Sequence, residues 1–251
     1  MDTLLELRSL YKSFDGIKAV NDFSLNLRSG SIVSLIGPNG AGKTTVFNLV
    51  SGLIRPDSGD IYFKGRRITR LPAHKIAQMG ISRTFQDLRL FYRMTVLENV
   101  MLAMRRQNGE WNFFASIRGT CLRKEEKQNL EKAKRWLETA GLAERTDYLA
   151  GDLSYGQQKL LCIARCLAAE PDIMLLDEPV SGLSSNLMDQ MLYLIKKLSK
   201  QGVSIWLIEH HIEAAASISD QIVAMNDGKK MVEGPPHLIR TDKRILEAYI
   251  A

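Results

Sequence analysis

A glycine-rich loop carries the residues of this chain whose types and spacing are best suited to chemistry. The loop stands between a short apolar run and a helix-like segment and reads Gly37-Pro38-Asn39-Gly40-Ala41-Gly42-Lys43-Thr44-Thr45. Its glycines allow the backbone to curl around a phosphate, so that successive N–H groups and the start of the next helix point at it. Lys43 offers a cation between the β- and γ-phosphates, and the Thr44 hydroxyl is placed for Mg²⁺. The loop therefore predicts a site for a nucleoside triphosphate.

Two adjacent carboxylates end a second apolar run. Asp177 and Glu178 follow Ile173-Met174-Leu175-Leu176, at the end of a predicted strand, where ligands of open α/β sheets bind. Asp177 is placed to reach Mg²⁺ through the water shell of the metal, and Glu178 to polarise a water that attacks the γ-phosphate. An Asp-Glu pair alone also occurs at helix N-termini, but beside a phosphate loop the catalytic interpretation is favoured.

A third segment, Leu153-Ser154-Tyr155-Gly156-Gln157, precedes a predicted helix. Ser154 is a good N-cap residue, and the free N–H groups beyond a cap form an anion site. Taken alone, the segment fits a simple helix cap equally well. Two anion sites far apart in one chain predict that the second serves a nucleotide held by a partner copy.

The composition limits the class of protein. A chain of 251 residues fits one large domain, or one domain with a subdomain. With 45% hydrophobic and 25% charged residues it is neither disordered nor collagen-like. Its apolar runs fall short of the roughly 18 residues of a membrane helix, and its acidic, soon polar N-terminus does not resemble a signal peptide, so we expect any membrane role to be peripheral.

The charge and the cysteines say less about function. A net charge of +6 suits a polyphosphate, nucleic acid or anionic lipid and does not choose among them. Cys121, Cys162 and Cys166 lack a CxxC or metal-ligand spacing, so we expect reduced, buried thiols in a cytosolic protein.

The elements that must position these residues alternate between strands and helices. Alternating Phe23, Leu25 and Leu27 predict a half-buried strand, and the apolar run 31–36 predicts a buried one. The pattern then predicts a helix from Lys43 to about Leu53, a strand over 60–63, helices over 157–169 and 187–200, strands over 173–176 and 203–208, and a hairpin of 222–225 with 230–233 around Asn226-Asp227-Gly228. This order predicts a largely parallel sheet covered on both faces, interrupted by a helical insertion over residues 87–149.

Together the motifs resemble the ATP-binding subunits of ABC transporters over nearly the whole chain. The phosphate loop, LSYGQQ and LLDEP occur in the order and spacing of that family, as do residues 180–187, Glu209-His210 and Arg83-Thr84-Phe85-Gln86. RTFQDLRLF, MTVLENV, LSYGQQ and GPPHLIR are most similar to the LivG-type ATPases of branched-chain amino acid uptake systems.

The resemblance implies an α/β fold with a P-loop NTPase (RecA-like) core, an N-terminal antiparallel β subdomain and an inserted α-helical subdomain. It implies one ABC ATPase domain over residues 1–251. Residues 1–86 and 159–251 would form the core with its β subdomain, and residues 87–158 the helical subdomain that ends in the signature motif.

The resemblance also implies roles for individual residues. ATP would be held by the phosphate loop, by Phe14 stacked on adenine, and by Ser154, Gly156 and Gln157 from a second chain. Mg²⁺ would be held by Thr44, Gln86 and Asp177, and catalysis would rest on Glu178, His210 and Gln86. Phe14 also fits a core aromatic residue at a strand end, and Gln86 a surface residue.

Three positions depart from the family pattern. Tyr155 replaces a glycine of the signature, and Ser184 stands where an acid or Asn is usual, which leaves its role in signalling between subunits open. His211 follows His210 where Asp is common, so the sequence alone does not decide which histidine senses the γ-phosphate.

The resemblance finally implies partners and a location. We expect a second ABC ATPase subunit (the same chain or a paralogue), transmembrane permease subunits, and indirectly a substrate-binding protein, but no nucleic acid. Unusually apolar residues after Gln86 favour a groove for a cytoplasmic permease helix, with packing inside the insertion as the alternative: Leu88, Leu90, Phe91, Tyr92 and Met94. The protein would lie at the cytoplasmic face of the inner membrane and drive branched-chain amino acid uptake. Urea or amide uptake, lipopolysaccharide export and a non-transport ABC ATPase remain alternatives.

Overall fold

The computed structural model describes residues 3–104, 119–239, 242, 244 and 245, and only the backbone of residues 119–125. Part of the predicted helical insertion, residues 105–118, lies outside the described residues, as do Arg240 and the side chain of Cys121. The chain forms two compact units: Met1–Arg83 with Asp172–Ala251, and Thr84–Pro171. None of the helices in the described ranges is long and apolar enough to span a membrane.

The elements follow one another in a mixed α/β order. The strands are β1 (Thr3–Phe14), β2 (Ile17–Arg28), β3 (Ile32–Ile36), β4 (Ser58–Phe63), β5 (Arg66–Arg67), β6 (Ile81–Arg83), β7 (Ile173–Asp177), β8 (Ser204–Ile208), β9 (Gln221–Asn226) and β10 (Lys229–Gly234). The helices are α1 (Lys43–Val50), α2 (Ala73–Met79), α3 (Val96–Met101), α4 (Gly119–Thr139), α5 (Tyr155–Ala168), α6 (Ser185–Lys200), α7 (Ile212–Ile218) and α8 (Pro236–Ile239).

The first unit is built on a six-stranded sheet with the order β10-β9-β3-β8-β7-β6. Its strands run parallel except β10, which pairs antiparallel with β9. The register aligns Leu35 of β3 with Ile208 of β8, and Ile208 with Asp177 of β7. The three neighbouring strands β3, β8 and β7 therefore end at the same edge of the sheet. The phosphate loop, Glu209-His210 and Asp177-Glu178 all lie at this edge.

Side chains that alternate along the strands fill two separate cores. Leu35, Val223 and Met225 belong to a cluster with Phe47 of α1 and with residues of β1 and β2. Ile36 and Ala224 belong to a cluster with residues of α7 and α8. Because successive strand residues point to opposite faces, the parallel sheet is covered on both sides, as predicted.

A smaller antiparallel sheet, in the order β2-β1-β4-β5, completes the first unit. Its long β1–β2 hairpin turns at Asp15 and Gly16, which both have positive φ. Phe23, Leu25 and Leu27 of β2 are buried, which confirms the predicted half-buried strand. This sheet agrees with the antiparallel β subdomain that the family resemblance implies.

The second unit contains α3, α4 and α5. On α4, Ala133 and Leu137 are fully buried while Lys134 is exposed, so the helix is amphipathic. Helix α3 starts with a capping box, in which Thr95 and Glu98 each accept a backbone N–H of the other.

Most predicted elements are found within a few residues of their expected limits. Helix α1 ends at Val50 rather than near Leu53, because Gly52 adopts φ +70° and turns the chain out of the helix. The Asn226-Asp227-Gly228 hairpin is present, with Asp227 and Gly228 both at positive φ, as its tight turn requires. Helix α5 continues past residue 158, so the second compact unit extends to Pro171.

Candidate functional site

The phosphate loop joins β3 to α1 and packs directly on neighbouring backbone. A Cβ on Gly37 (φ +152°) would stand 2.1 Å from the carbonyl oxygen of Met225. A Cβ on Gly42 (φ +98°) would stand 2.1 Å from the carbonyl oxygen of Ala19. Only glycine fits at either position, since any side chain would collide with β9 or β2.

Helix α1 begins at the end of this loop without a side-chain cap, because its N-cap residue is Gly42. The first-turn N–H groups of a helix have no partner within it, and the positive end of its dipole favours an anion. Thr44 is exposed in this first turn, so its hydroxyl is accessible from solvent. The start of α1 thus has the backbone and the side chain that a bound phosphate with its cation requires.

The Lys43 side chain lies folded against the loop. Its ammonium donates hydrogen bonds to the carbonyl oxygens of Gly37 (2.7 Å) and Pro38 (2.8 Å). Burial lowers the pKa of Lys43, while the charges of Glu178 and Asp177 act in the opposite direction. The phosphate loop and the two carboxylates therefore belong to one electrostatic site.

Asp177 ends β7 with a buried carboxylate that pairs with Arg83. The guanidinium of Arg83 lies 3.2 Å from Asp177 Oδ2, and both side chains are about 5% exposed or less. Burial raises the pKa of Asp177, and the cation of Arg83 opposes that shift. The ion pair keeps a carboxylate oxygen at the sheet edge in spite of its burial.

Arg83 connects this carboxylate to α1. It donates hydrogen bonds to Asn48 Oδ1 (2.7 Å) and Ser51 Oγ (2.9 Å), and its guanidinium lies 5.5 Å from the ring centre of Phe47. Arg83 belongs to a family motif, but the sequence predicted no role for its side chain. The pairing of β6 with β7 places it beside Asp177.

Glu178 faces His210 across the sheet edge. Its Oε1 lies 2.5 Å from Nε2 of His210, and its own backbone has φ +49°. A non-glycine residue in this left-handed region costs about 1–3 kcal/mol and persists where its surroundings hold it, most often at functional sites. Both side chains remain partly accessible, at 16% for Glu178 and 32% for His210.

The structure distinguishes the two adjacent histidines. His210 contacts Glu178, whereas His211 is exposed and occupies the N-cap position of α7 without a side-chain cap bond. Between them, the geometry favours His210 as the partner of the carboxylate.

The signature segment lies in the second unit, at the start of α5. Ser154 is the N-cap: its hydroxyl accepts the N–H of Gln157 (3.4 Å), and the Gln157 side chain accepts the N–H of Ser154 (3.0 Å). This reciprocal capping box confirms the predicted cap. Tyr155 is exposed, and Gly156 lies in the first turn between the two capping residues.

The remaining predicted site residues lie at the surface of their units. Phe14, at the end of β1, is 44% exposed, with the Lys12 ammonium 5.3 Å from its ring centre. This exposure fits a stacking surface better than a core residue. Gln86 is exposed in the second unit, and in the apolar loop (residues 88–94) Phe91 and Tyr92 are about half exposed while Leu90 is buried.

Two further buried polar residues were not predicted as site residues, although Glu209 stands next to His210 in a family motif. The Glu209 side chain accepts the N–H of Val180 (3.1 Å). Asn99 of α3 accepts the N–H of Phe91 (3.0 Å) and donates to the carbonyl oxygens of Phe91 and Thr95 (3.0 Å each) and of Met94 (3.4 Å). In the sequence, Asn99 is a polar residue inside an apolar segment and Glu209 follows an apolar run, and neither position reveals the partners of the side chain.

Comparisons with known proteins show what the chain as a whole is similar to. The family model for ABC transporters matches residues 20–181. The branched-chain amino acid transport ATP-binding proteins BraF of Pseudomonas aeruginosa and LivG of Escherichia coli K12 are 43% and 40% identical to the chain. Each alignment covers 98% of this chain and 97% of the relative. The lipopolysaccharide export ATP-binding protein LptB of Haemophilus influenzae is 33% identical, over 99% of this chain and 97% of its own.

Solved structures agree in fold. The ADP conformation of MJ1267, an ATP-binding cassette of an ABC transporter, superimposes with a TM-score of 0.87 at 30% identity over the whole of both chains. The dimeric post-hydrolysis state of the cassette MJ0796, bound to ADP and Pi, gives a TM-score of 0.78 at 27% identity, over 93% of this chain and 99% of that one. These likenesses confirm the expected α/β cassette fold.

Proposed function

The chain belongs to the ABC transporter family as an ATP-binding, ATP-hydrolysing subunit, and from this premise we propose that it drives branched-chain amino acid uptake. The observation that carries the substrate class is the 43% identity with BraF, which extends over 98% of the chain. Two sequence features shared with the LivG-type subgroup, MTVLENV and GPPHLIR, point the same way, since they lie outside the general nucleotide motifs.

In the proposed mechanism the first unit binds the phosphates and activates water. The N–H groups of the loop and of α1 cradle the phosphates, and Lys43 leaves the carbonyl oxygens of its own loop to contact the β- and γ-phosphates. Glu178 accepts a proton from the attacking water, while His210 orients the carboxylate. Phe14 stacks on adenine through the face of its ring.

The oxygen donors of the site fit Mg²⁺, which prefers hard oxygen ligands and keeps part of its water shell. The Thr44 hydroxyl is exposed at the start of α1, and the Asp177 carboxylate is held at the sheet edge by Arg83. These two groups would hold the ion, and the family resemblance alone assigns Gln86 to it as well. When bound, Mg²⁺ neutralises phosphate charge in the transition state.

We propose that two ATP molecules are held between two ATPase subunits arranged head to tail. Each nucleotide then contacts the phosphate loop of one subunit and Ser154, Gly156 and Gln157 of the other. Because the γ-phosphate bridges the two subunits, its hydrolysis removes the bridge and the pair opens. The capping box at Ser154 supports this role by fixing the N-terminus of α5, where backbone N–H groups face an anion.

The apolar loop is the proposed contact to the permease. Phe91 and Tyr92 are about half exposed on a loop, and exposed apolar side chains of this kind are typical of partner surfaces. In this proposal residues 87–158 are the helical subdomain, and the protein is held at the cytoplasmic face of the membrane by its permease subunits. A substrate-binding protein acts on it only through them.

The function is tested by purifying the tagged chain from native membranes in mild detergent. We expect multi-span permease subunits and a second ATPase subunit to co-purify, and reconstituted complexes to increase ATP turnover with leucine-loaded binding protein. A Phe91→Ala/Tyr92→Ala variant should lose the permeases, whereas the exposed control variant Tyr193→Ala should retain them. Stimulation by urea, or co-purification with lipopolysaccharide export components, would contradict amino acid uptake and leave the ATPase intact.

A further inference from the structure

A buried carboxyl group stands directly behind the hydrolytic site. Glu209 follows β8, precedes His210, and is only 1% exposed. Burying a carboxyl group is costly unless its oxygens accept hydrogen bonds. Its Oε1 accepts the backbone N–H of Val180, two residues after Glu178, at 3.1 Å. Glu209 therefore contacts the segment that carries the proposed general base.

The segment held by Glu209 has a strained conformation. Glu178 has φ +49°, a region that non-glycine residues adopt only where neighbouring groups fix it. The end of β8 and the two residues after it make three contacts that fix this segment. The carbonyl oxygen of Ile208 accepts the N–H of Glu178 (3.1 Å), Glu209 accepts that of Val180, and His210 contacts the Glu178 carboxylate (2.5 Å).

Glu209 is also tied to the strand that leads into the phosphate loop. Its backbone N–H donates to the carbonyl oxygen of Leu35 at 3.2 Å, and Leu35 lies two residues before Gly37. Glu209 thus bonds through its backbone N–H to β3, the strand that leads into the phosphate loop, and through its side chain to the 178–180 turn.

We propose that Glu209 is a positioning residue for ATP hydrolysis. Its Oε1 accepts the N–H of Val180 whether or not the carboxyl group is charged, and this bond holds the 178–180 turn. Glu178 thereby stays in contact with His210 and within reach of the attacking water. Residue 209 needs a side chain long enough to bring an acceptor oxygen to Val180, and it does not need a charge. This inference rests on the proposed role of Glu178 and does not depend on the transported substrate.

The test compares three variants of the full chain. Glu209→Gln keeps an acceptor oxygen at the same distance and removes the charge. Glu209→Asp keeps the charge and withdraws the oxygen by one carbon–carbon bond, and Glu209→Ala removes the acceptor. We expect Glu209→Asp and Glu209→Ala to lower kcat about 10²-fold, since a misplacement of about 1 Å has that effect. Glu209→Gln should stay within about 3-fold of the natural chain, a change of under 1 kcal/mol in barrier.

The second readout is ATP affinity, measured with a fluorescent ATP analogue. It should change less than about 3-fold in all three variants, because the phosphate loop is intact. The proposal is overturned if Glu209→Asp is active and Glu209→Gln is not, if both are fully active, or if kcat and affinity fall together. If Glu209→Ala does not fold, the Asp and Gln pair decides. Unchanged turnover in Glu178→Gln would instead contradict the proposed base.

Discussion

At the residue scale, the candidate site is built from pairs of residues that lie far apart in the chain. Glu178 and His210 stand 32 positions apart and meet at 2.5 Å; Arg83 and Asp177 stand 94 apart and meet at 3.2 Å. Both pairs form because parallel strands deliver their following residues to the same edge of the sheet. If Glu178 is the general base that we propose, its contact with His210 reduces the orientational freedom that the carboxylate loses when it accepts a proton from water.

The adjacent histidines offer a matched test of this geometry. We expect His210→Ala to lower kcat for ATP about 10²-fold or more, because Glu178 loses its orienting partner. The control variant His211→Ala should stay within about 2-fold, since its exposed side chain makes no cap bond at α7. Steady-state ATP turnover at saturating MgATP measures both. Equal losses in the two variants would contradict the assignment of His210.

Part of the site could be predicted from the sequence, and there is a physical reason why the rest could not. The phosphate loop and the Asp177-Glu178 pair are local patterns in which the neighbouring residues themselves perform the chemistry. Arg83 and Glu209 matter only through partners on other strands, and strand order and register are not written in any short segment. The family resemblance predicted that His210 holds Glu178 in position, and in the structure the two side chains lie 2.5 Å apart.

At the element scale, one buried amide shapes the loop before α3. Asn99 is fully buried and joins Phe91, Met94 and Thr95 through four hydrogen bonds. Residues of the same loop also bond to the segment before the signature: Ala150 donates to the carbonyl oxygen of Met94 at 2.9 Å, and Gly151 to that of Tyr92 at 3.0 Å. Phe91 and Tyr92 are thus exposed on a loop whose backbone is held by these hydrogen bonds.

We predict that Asn99→Ala destabilises the second unit by about 2–3 kcal/mol, because buried backbone groups lose their partners. The control variant Leu102→Ala, at the exposed end of the same helix, should cost about 0.5 kcal/mol. Urea unfolding followed by tryptophan fluorescence and by circular dichroism gives both values. A loss below about 1 kcal/mol for Asn99→Ala would show that the loop does not depend on this amide.

The elements that the sequence predicted share strong local signals. The Asp227-Gly228 turn and the apolar run of β3 are punctuated by glycine, and α6 has a clear apolar stripe. By contrast, β6 has three residues and β5 only two. Strands this short carry too few residues for a periodic pattern, and they form because a neighbouring strand offers its backbone groups.

At the scale of the whole molecule, the nucleotide-binding parts are divided between two units. The first carries the phosphate loop, Asp177, Glu178 and His210, and the second carries the Ser154 cap. In the proposed head-to-tail pair, the start of α5 completes the site of a second subunit, so ATP affinity and subunit association are two aspects of one equilibrium. On this proposal, any change that keeps ATP bound and unhydrolysed shifts the subunits toward the paired state.

The variant Glu178→Gln isolates this equilibrium. The amide keeps the shape of the side chain but accepts a proton poorly and does not repel the γ-phosphate, so we expect ATP to remain bound and hydrolysis to fall at least 10²-fold. In saturating MgATP, light scattering should give twice the mass of the single chain, and with ADP the mass of one chain. The double variant Glu178→Gln/Lys43→Ala should stay monomeric, because Lys43 is needed to hold the phosphates. A single-chain mass for Glu178→Gln with ATP would contradict a pair of identical subunits, and adding the co-purified second ATPase then decides whether a paralogue completes the site.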